Sequence, residues 1–187
     1  LQDDNGCVLA LYSCITIFEP DSIFFDGSTF TDMSCFGDNN GDISLNVSGG
    51  TAIIPGDYIF NWATPACYGG AINTPNITGL CDGSYTITAT DDNGCTNDTT
   101  FTVTEPIQMT LSTASTDAGC GINNGTVTAT PGGGTVAGNY LVSWVGAGTG
   151  FSGSNLNETG LAPDTYTVTI EDDNGCIITA NETISTI

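Results

Sequence analysis

Apolar and polar residues alternate along this chain with the two-residue period of β-strands. Ile43, Leu45 and Val47 share one parity, as do Tyr58, Phe60 and Trp62. Tyr85, Ile87 and Ala89 alternate with Thr86, Thr88 and Thr90, and Tyr166, Val168 and Ile170 repeat that pattern further on. Strands are expected near residues 23–25, 43–47, 58–62, 71–77, 84–90 and 96–104, with a seventh whose place the pattern leaves open. No segment shows a helical period. Short strands at this spacing, with Gly and Pro turns between them, predict an all-β sandwich. A Trp in a middle strand beside a cystine fits an immunoglobulin-like core, though the spacing is not that of antibody domains.

The pattern is punctuated by the word Asp-Asp-Asn-Gly-Cys, written at residues 3–7, 91–95 and 172–176. Asn-Gly between alternating runs is a hairpin signal, and a type I′ turn with φ > 0 at both central residues is the expected form. Cys95, Phe101 and Val103 share parity, so the second strand is expected to open on an inward thiol.

Other landmarks recur with the word. Asn39-Asn40-Gly41 returns as Asn123-Asn124-Gly125, an offset of 84; Tyr58 and Trp62 return as Tyr140 and Trp144, an offset of 82. Gly79-Leu80 and Tyr85 return as Gly160-Leu161 and Tyr166 (81), and Cys35 as Cys120 (85). The drifting offset is that of small deletions in loops. The expected organisation is tandem immunoglobulin-like β-sandwich repeats, disulfide-stapled, at 21–106 and 107–187. Residues 1–20 are then the closing strand of a preceding repeat, or a strand donated to a neighbour.

Composition narrows the function. Lys, Arg and His are absent and 21 carboxylates give a net charge of −21. No Lys or Arg salt bridge can form, trypsin-like proteases find no site, and nucleic acid is repelled because binding it requires cations on the protein. No apolar run reaches the length of a membrane span; the longest, 7–18, is twelve residues interrupted by Ser and Thr and reads as a strand. Nucleophilic triads need a base, usually His, and Schiff-base or phosphate-loop chemistry needs Lys, so no enzyme is expected. A paired-carboxylate glycosidase remains only formally open, because the acidic residues fall mostly in repeated turn words. Calcium is the one cofactor to weigh: Asp38, Asp42, Asp91 and Asp92 cluster hard oxygen ligands, without EF-hand spacing. Six Asn-x-Ser/Thr sequons, at Asn46, Asn76, Asn97, Asn124, Asn157 and Asn181, are what an Asn- and Thr-rich chain produces by chance.

Eight cysteines with no Cys-x-x-Cys and no His point to disulfides and an oxidising compartment. Cys35 and Cys95 recur together as Cys120 and Cys176, which predicts the pairs 35–95 and 120–176. Cys67 and Cys81 are both missing from the second unit, where Ala162 stands at the place of Cys81, so 67–81 is the third pair. Cys7 and Cys14 remain. On one extended strand, seven residues at about 3.3 Å each exceed the roughly 6.8 Å Cα limit for a disulfide. By analogy Cys7 is expected to seek the early cysteine of the half-repeat that residues 1–20 would close, and Cys14 to stay a buried thiol or link two chains.

The succession Cys35-Phe-Gly-Asp-Asn-Asn-Gly-Asp-Ile, Ser48-Gly-Gly-Thr, Tyr58…Trp62, Gly79-Leu80…Tyr85-Thr-Ile-Thr, Asp91-Asp-Asn-Gly-Cys95 and Thr104-Glu-Pro106 resembles the repeat of the SprB gliding-motility adhesins. The resemblance covers two units and the tail of a third. The second unit departs from it at Thr116-Asp-Ala-Gly-Cys120-Gly-Ile-Asn-Asn-Gly. The resemblance implies a very large surface protein of gliding bacteria, exported by the type IX system, whose β-domains form an extended filament. It also implies surface polysaccharide as a ligand, and O-glycosylation at Asp-Ser/Thr-apolar signals, which Asp21-Ser22-Ile23 and Asp98-Thr99-Thr100 are similar to, at Ser22 and Thr99. The expected partners are neighbouring repeats or copies of the chain. Two other readings are a self-assembling fibre subunit that donates its N-terminal strand, and a glycan-binding module using Tyr68, Trp62 and Trp144 as a platform.

Overall fold

The structure is a computed structural model that describes residues 4–5, 19–51 and 57–187. Cys7, Cys14, the expected strand at 7–18 and most of the first hairpin word lie outside the described residues. Within them all regular structure is β-strand.

The first six strands are β1 (Thr29–Thr31), β2 (Gly41–Ser44), β3 (Ile59–Ala63), β4 (Asn76–Leu80), β5 (Gly83–Thr90) and β6 (Thr96–Val103). They form two antiparallel sheets, β1-β2-β4 and β3-β5-β6. Then follow β7 (Thr110–Thr116), β8 (Gly125–Gly132), β9 (Leu141–Gly146), β10 (Ser152–Gly153), β11 (Asn157–Leu161), β12 (Asp164–Glu171) and β13 (Ile177–Ile184). These pair as β11-β8-β7 and β10-β9-β12-β13. In the second unit the first, second and fifth strands form one sheet and the third, fourth, sixth and seventh the other; among the described residues the first unit has the same arrangement without the short fourth strand, the connectivity of an immunoglobulin-like sandwich.

The alternation seen in the sequence is what each sheet buries. On β5, Tyr85, Ile87 and Ala89 are fully buried while the intervening threonines are half exposed. On β12, Tyr166, Val168 and Ile170 do the same. Each set packs on its own core with a buried Trp from the third strand, Trp62 in one and Trp144 in the other. Two tyrosines fix the bottom corners. Tyr85 Oη donates to Cys81 O at 2.9 Å and Tyr166 Oη to Ala162 O at 2.8 Å, the tyrosine corner of this fold class.

The open seventh strand is β1. Its counterpart β7 is continuous, but in the first unit a turn at Asp26-Gly27 interrupts the edge. Gly27 has φ +78° there, and Asn46 Nδ2 donates to Asp26 O at 2.7 Å. The expected strand at 23–25 is reduced to one bridge, Phe24 with Ser48, although Ile23 still enters the core.

The hairpins form, with a different turn. Residues 91 and 95 close a three-residue loop: Asp91 N donates to Cys95 O and Gly94 N to Asp91 O, both at 3.0 Å. Among the described residues no non-glycine has positive φ, so Asn93 and Asn174 are not in the left-handed region; Gly94 (+83°) and Gly175 (+81°) are. This is a type I turn followed by a glycine bulge, in place of the expected type I′. The Asp91 carboxylate holds it, since Oδ1 accepts from Asn93 N at 3.0 Å and Cys95 N at 2.8 Å and so favours right-handed geometry at the central residues. Cys95 falls in the loop instead of on the strand and is exposed.

Candidate functional site: the junction between the sandwiches

The Asp-Asp-Asn-Gly-Cys word, the Gly-Gly-Thr loop and the Tyr ahead of each Trp build one cluster at the top of each sandwich. Asp172 Oδ1 accepts from Asn174 N and Cys176 N, both at 2.9 Å, and Oδ2 from Thr135 N at 2.8 Å. In the first unit Asp91 Oδ2 accepts from Thr51 N at 2.8 Å. Tyr140 Oη caps Gly133 O at 2.8 Å, and Tyr58 Oη caps Gly49 O at 2.7 Å. The strand that enters each unit ties in as well: Gly134 N donates to Ile107 O, and Gly50 N to Asp21 O. The hydrogen bond from Thr51 N–H, with those from Cys95 and Asn93, holds the Asp91 carboxyl below its usual range despite burial. Burial pushes Asp172 up, but the N–H groups of Thr135, Cys176, Asn174 and Gly175 outweigh it and leave the group lowered. Two carboxylates buried without any cation are thereby satisfied.

This cluster needs glycine. Gly133 has φ +73°, and a Cβ there would lie 2.0 Å from Gln108 O. Gly133→Ala is expected to destabilise the second sandwich by about 1–3 kcal/mol. Gly138→Ala, where a Cβ meets nothing within 4 Å, is the control and leaves the melting temperature in place.

The disulfides correct the sequence-based pairing. Cys35 bonds Cys176, with Cα atoms 5.7 Å apart, and Cys95 and Cys120 are free and exposed. The pairs 35–95 and 120–176 do not form. The reason is strand direction. Cys35 lies in the loop entering β2, at the end where Gly41 pairs Leu80 and Met33 N donates to Thr104 O. Cys95 lies at the other end of β5, eight residues away at about 3.3 Å each, far outside disulfide reach. Cys120 and Cys176 are separated in the same way by β12. At the bottom of the first sandwich the chain passes through Thr104-Glu105-Pro106 into the second, whose top hairpin carries Cys176 to Cys35.

The junction has further ties. Asn174 Nδ2 donates to Ser34 O at 3.0 Å across it. Glu105 Oε2 accepts from Gly37 N at 3.1 Å, and Asp32 Oδ1 from Thr104 N at 2.7 Å, so the connecting segment is bound to the Cys35 loop. A groove of about 410 Å³ runs beside the bond, lined by Phe36, Pro106, Met109 and Ile178 among others.

Cys67 and Cys81 are joined, with Cα atoms 6.4 Å apart, and fasten the loop after β3 to the end of β4. The second unit does this with a carboxylate that the sequence did not single out. Asp164 Oδ2 accepts from Gly148 N at 2.9 Å, from Thr149 N at 2.8 Å and from Thr149 Oγ1 at 2.8 Å. Asp164 stands at the place of Gly83, against which Pro65 of the first unit's loop lies. The Gly148 N–H, then the Thr149 hydroxyl and N–H, lower the Asp164 pKa from 3.8 to about 2. A depressed carboxyl stabilises above its ordinary pKa and loses that contribution as pH falls to the folded value. Asp164→Asn should therefore melt earlier than wild type at neutral pH, and the two melting curves should converge as the pH drops from 3.8 towards 2. Parallel curves would contradict the clasp.

The calcium candidates are dispersed. Asp91 spends its carboxylate on backbone N–H groups, while Asp38, Asp42 and Asp92 are exposed on the loop entering β2, on β2 and on the hairpin. Among the described residues no cluster of three or more Cys, Asp or Glu side chains forms a metal site. Ser22 is exposed and Thr99 half-buried on β6. Trp62 and Trp144 are core residues and Tyr68 stacks edge-on against Tyr85, so these three make no exposed platform. Among the described residues no helix is long and apolar enough to cross a membrane.

Fold and junction together define the class: tandem immunoglobulin-like modules, cross-linked by disulfides of the extracellular kind. The family model of the SprB repeat matches residues 27–64, within the first unit. That stretch runs from the interrupted edge strand through the Cys35 loop to the Trp62 strand. The chain is similar to the crystal structure of DIP-gamma IG1+IG2, at 10% identity and TM-score 0.42, over 88% of this chain and 97% of that one. It is also similar to murine CEACAM1b, at 17% identity and TM-score 0.32, over 80% of this chain and 94% of that one. A search of the curated proteins finds no match.

Proposed function

We propose that residues 21–106 and 107–187 are two stalk repeats of a large extracellular surface adhesin. The observation that carries this is the Cys35–Cys176 bond, which clasps the bottom loop of one sandwich to the top hairpin of the next. The SprB-repeat match within the first unit supports the adhesin reading, and with it surface attachment or gliding and export by the type IX system. The function is mechanical, not catalytic. The chain has no His, Lys or Arg to serve as base or nucleophile, and the two carboxylates buried among the described residues, Asp91 and Asp172, are committed to turn amides. Antibody raised against this chain should label unpermeabilised cells in extended filaments, and deleting its gene should reduce attachment or spreading on a surface. Label confined to the cell interior would overturn the reading.

A further inference from the structure

We infer that Cys95 and Cys120 are the two complementary halves of a second disulfide junction, each taking a cysteine from another repeat of this kind. The inference rests on the tandem-repeat reading above. Its evidence is the closed junction within the same molecule, where a hairpin cysteine (Cys176) meets a bottom-loop cysteine (Cys35). Cys95 sits in a hairpin built as that of Cys176 is. Its Asp91 keystone accepts from Asn93, Cys95 and Thr51, as Asp172 does from Asn174, Cys176 and Thr135. Cys120 sits in a loop built as that of Cys35 is. Asn124 Oδ1 accepts from Gly119 N at 2.8 Å, where Asn40 Oδ1 accepts from Ser34 N at 3.0 Å. Asp117 Oδ1 accepts from Ser185 N, where Asp32 Oδ1 accepts from Thr104 N. Ala118 N donates to Ser185 O, where Met33 N donates to Thr104 O.

Both thiols are exposed, one at the top of the first sandwich and one at the bottom of the second. A top hairpin and a bottom loop are different surfaces, so their union is head-to-tail, which extends into a filament wherever the rotation between repeats does not close a ring. Each new bond removes two thiol protons and two electrons. The electrons pass to a disulfide oxidant, oxidised glutathione or a thiol oxidoreductase, which leaves as two thiols by exchange. The other repeat is either a neighbour along a longer chain or a second copy of this one, and the bond is the same.

The test mixes two single variants, Cys95→Ser and Cys120→Ser, in a glutathione redox buffer. Each retains one half of the junction. Disulfide dimers should form about tenfold more in the mixture than in either variant alone, because docking of the two surfaces raises the effective thiol concentration. Peptide mapping should find Cys120 of one chain bonded to Cys95 of the other, with Cys35–Cys176 intact in both. In protein isolated unreduced from cells, Cys120 bonded to Cys95 or Cys7 of this sequence identifies a second copy, and Cys120 bonded to a different hairpin peptide identifies a neighbouring repeat. Symmetric 95–95 or 120–120 bonds, Cys95 bonded to Cys7 or Cys14 of its own chain, or both thiols still alkylatable after Cys35–Cys176 has closed would overturn the inference. None of these results bears on surface labelling, so the adhesin reading stands or falls separately.

Discussion

Replacing Cys35 and Cys176 together by Ser is expected to turn two clasped sandwiches into two hinged ones. The bond closes a separation of 141 residues, and removing a native disulfide typically costs about 2–5 kcal/mol. Each sandwich keeps its own core, so the loss should appear as two separate melting transitions where the wild type shows coupled ones. What remains across the junction is chiefly the hydrogen bond from Asn174 Nδ2 to Ser34 O, while Gly37 N–H to Glu105 holds the connecting segment to the Cys35 loop. Small-angle scattering should show a broader distribution of end-to-end distances in the variant. An unchanged distribution would mean that Pro106 and these hydrogen bonds fix the angle unaided.

Trp144→Ala should be the most damaging single change in the second sandwich. The indole is wholly buried between the sheets, and its Nε1 donates to Asn155 O at 3.1 Å. Truncating a buried Trp costs about 3–5 kcal/mol, a large part of the 5–15 kcal/mol that typically holds a domain folded. Trp62→Ala should act equally on the first sandwich, where Nε1 donates to Thr74 O at 2.9 Å. Made together with Cys35→Ser and Cys176→Ser, which separate the two transitions, each change should lower only its own unit's transition in a melt followed by near-ultraviolet circular dichroism. A variant that lowered both equally would show that the two cores fold as one.

The strands could be read from the sequence because side-chain parity reports burial directly. β5 and β12 begin within a residue or two of where Tyr85 and Tyr166 set the alternation. The edge strand could not, because Thr29-Phe30-Thr31 is exposed on both faces and carries no parity. The turn type was missed for a chemical reason: Asn-Gly alone favours type I′, and the Asp two residues earlier reverses that choice by accepting the central amides. The cystine pairing was underdetermined. Recurrence of Cys35 with Cys95 as Cys120 with Cys176 is equally satisfied when every partner is shifted by one repeat. Parity says which face a thiol is on, and not which end of the sandwich. Only the strand directions, laid out in order, separate Cys35 from Cys95. Asp164 was hidden because its counterpart is Gly83, and the loop-fastening role had passed from a cystine to a carboxylate between the two units.

The decisive measurement is disulfide mapping of the unreduced protein. With no Lys or Arg in the chain, digestion must rely on acidic or aromatic cleavage sites. A linked peptide pair containing Cys35 and Cys176, alongside one containing Cys67 and Cys81, is the predicted result. Recovery of Cys35 linked to Cys95 and of Cys120 linked to Cys176 would place both bonds inside single sandwiches and remove the clasp between them.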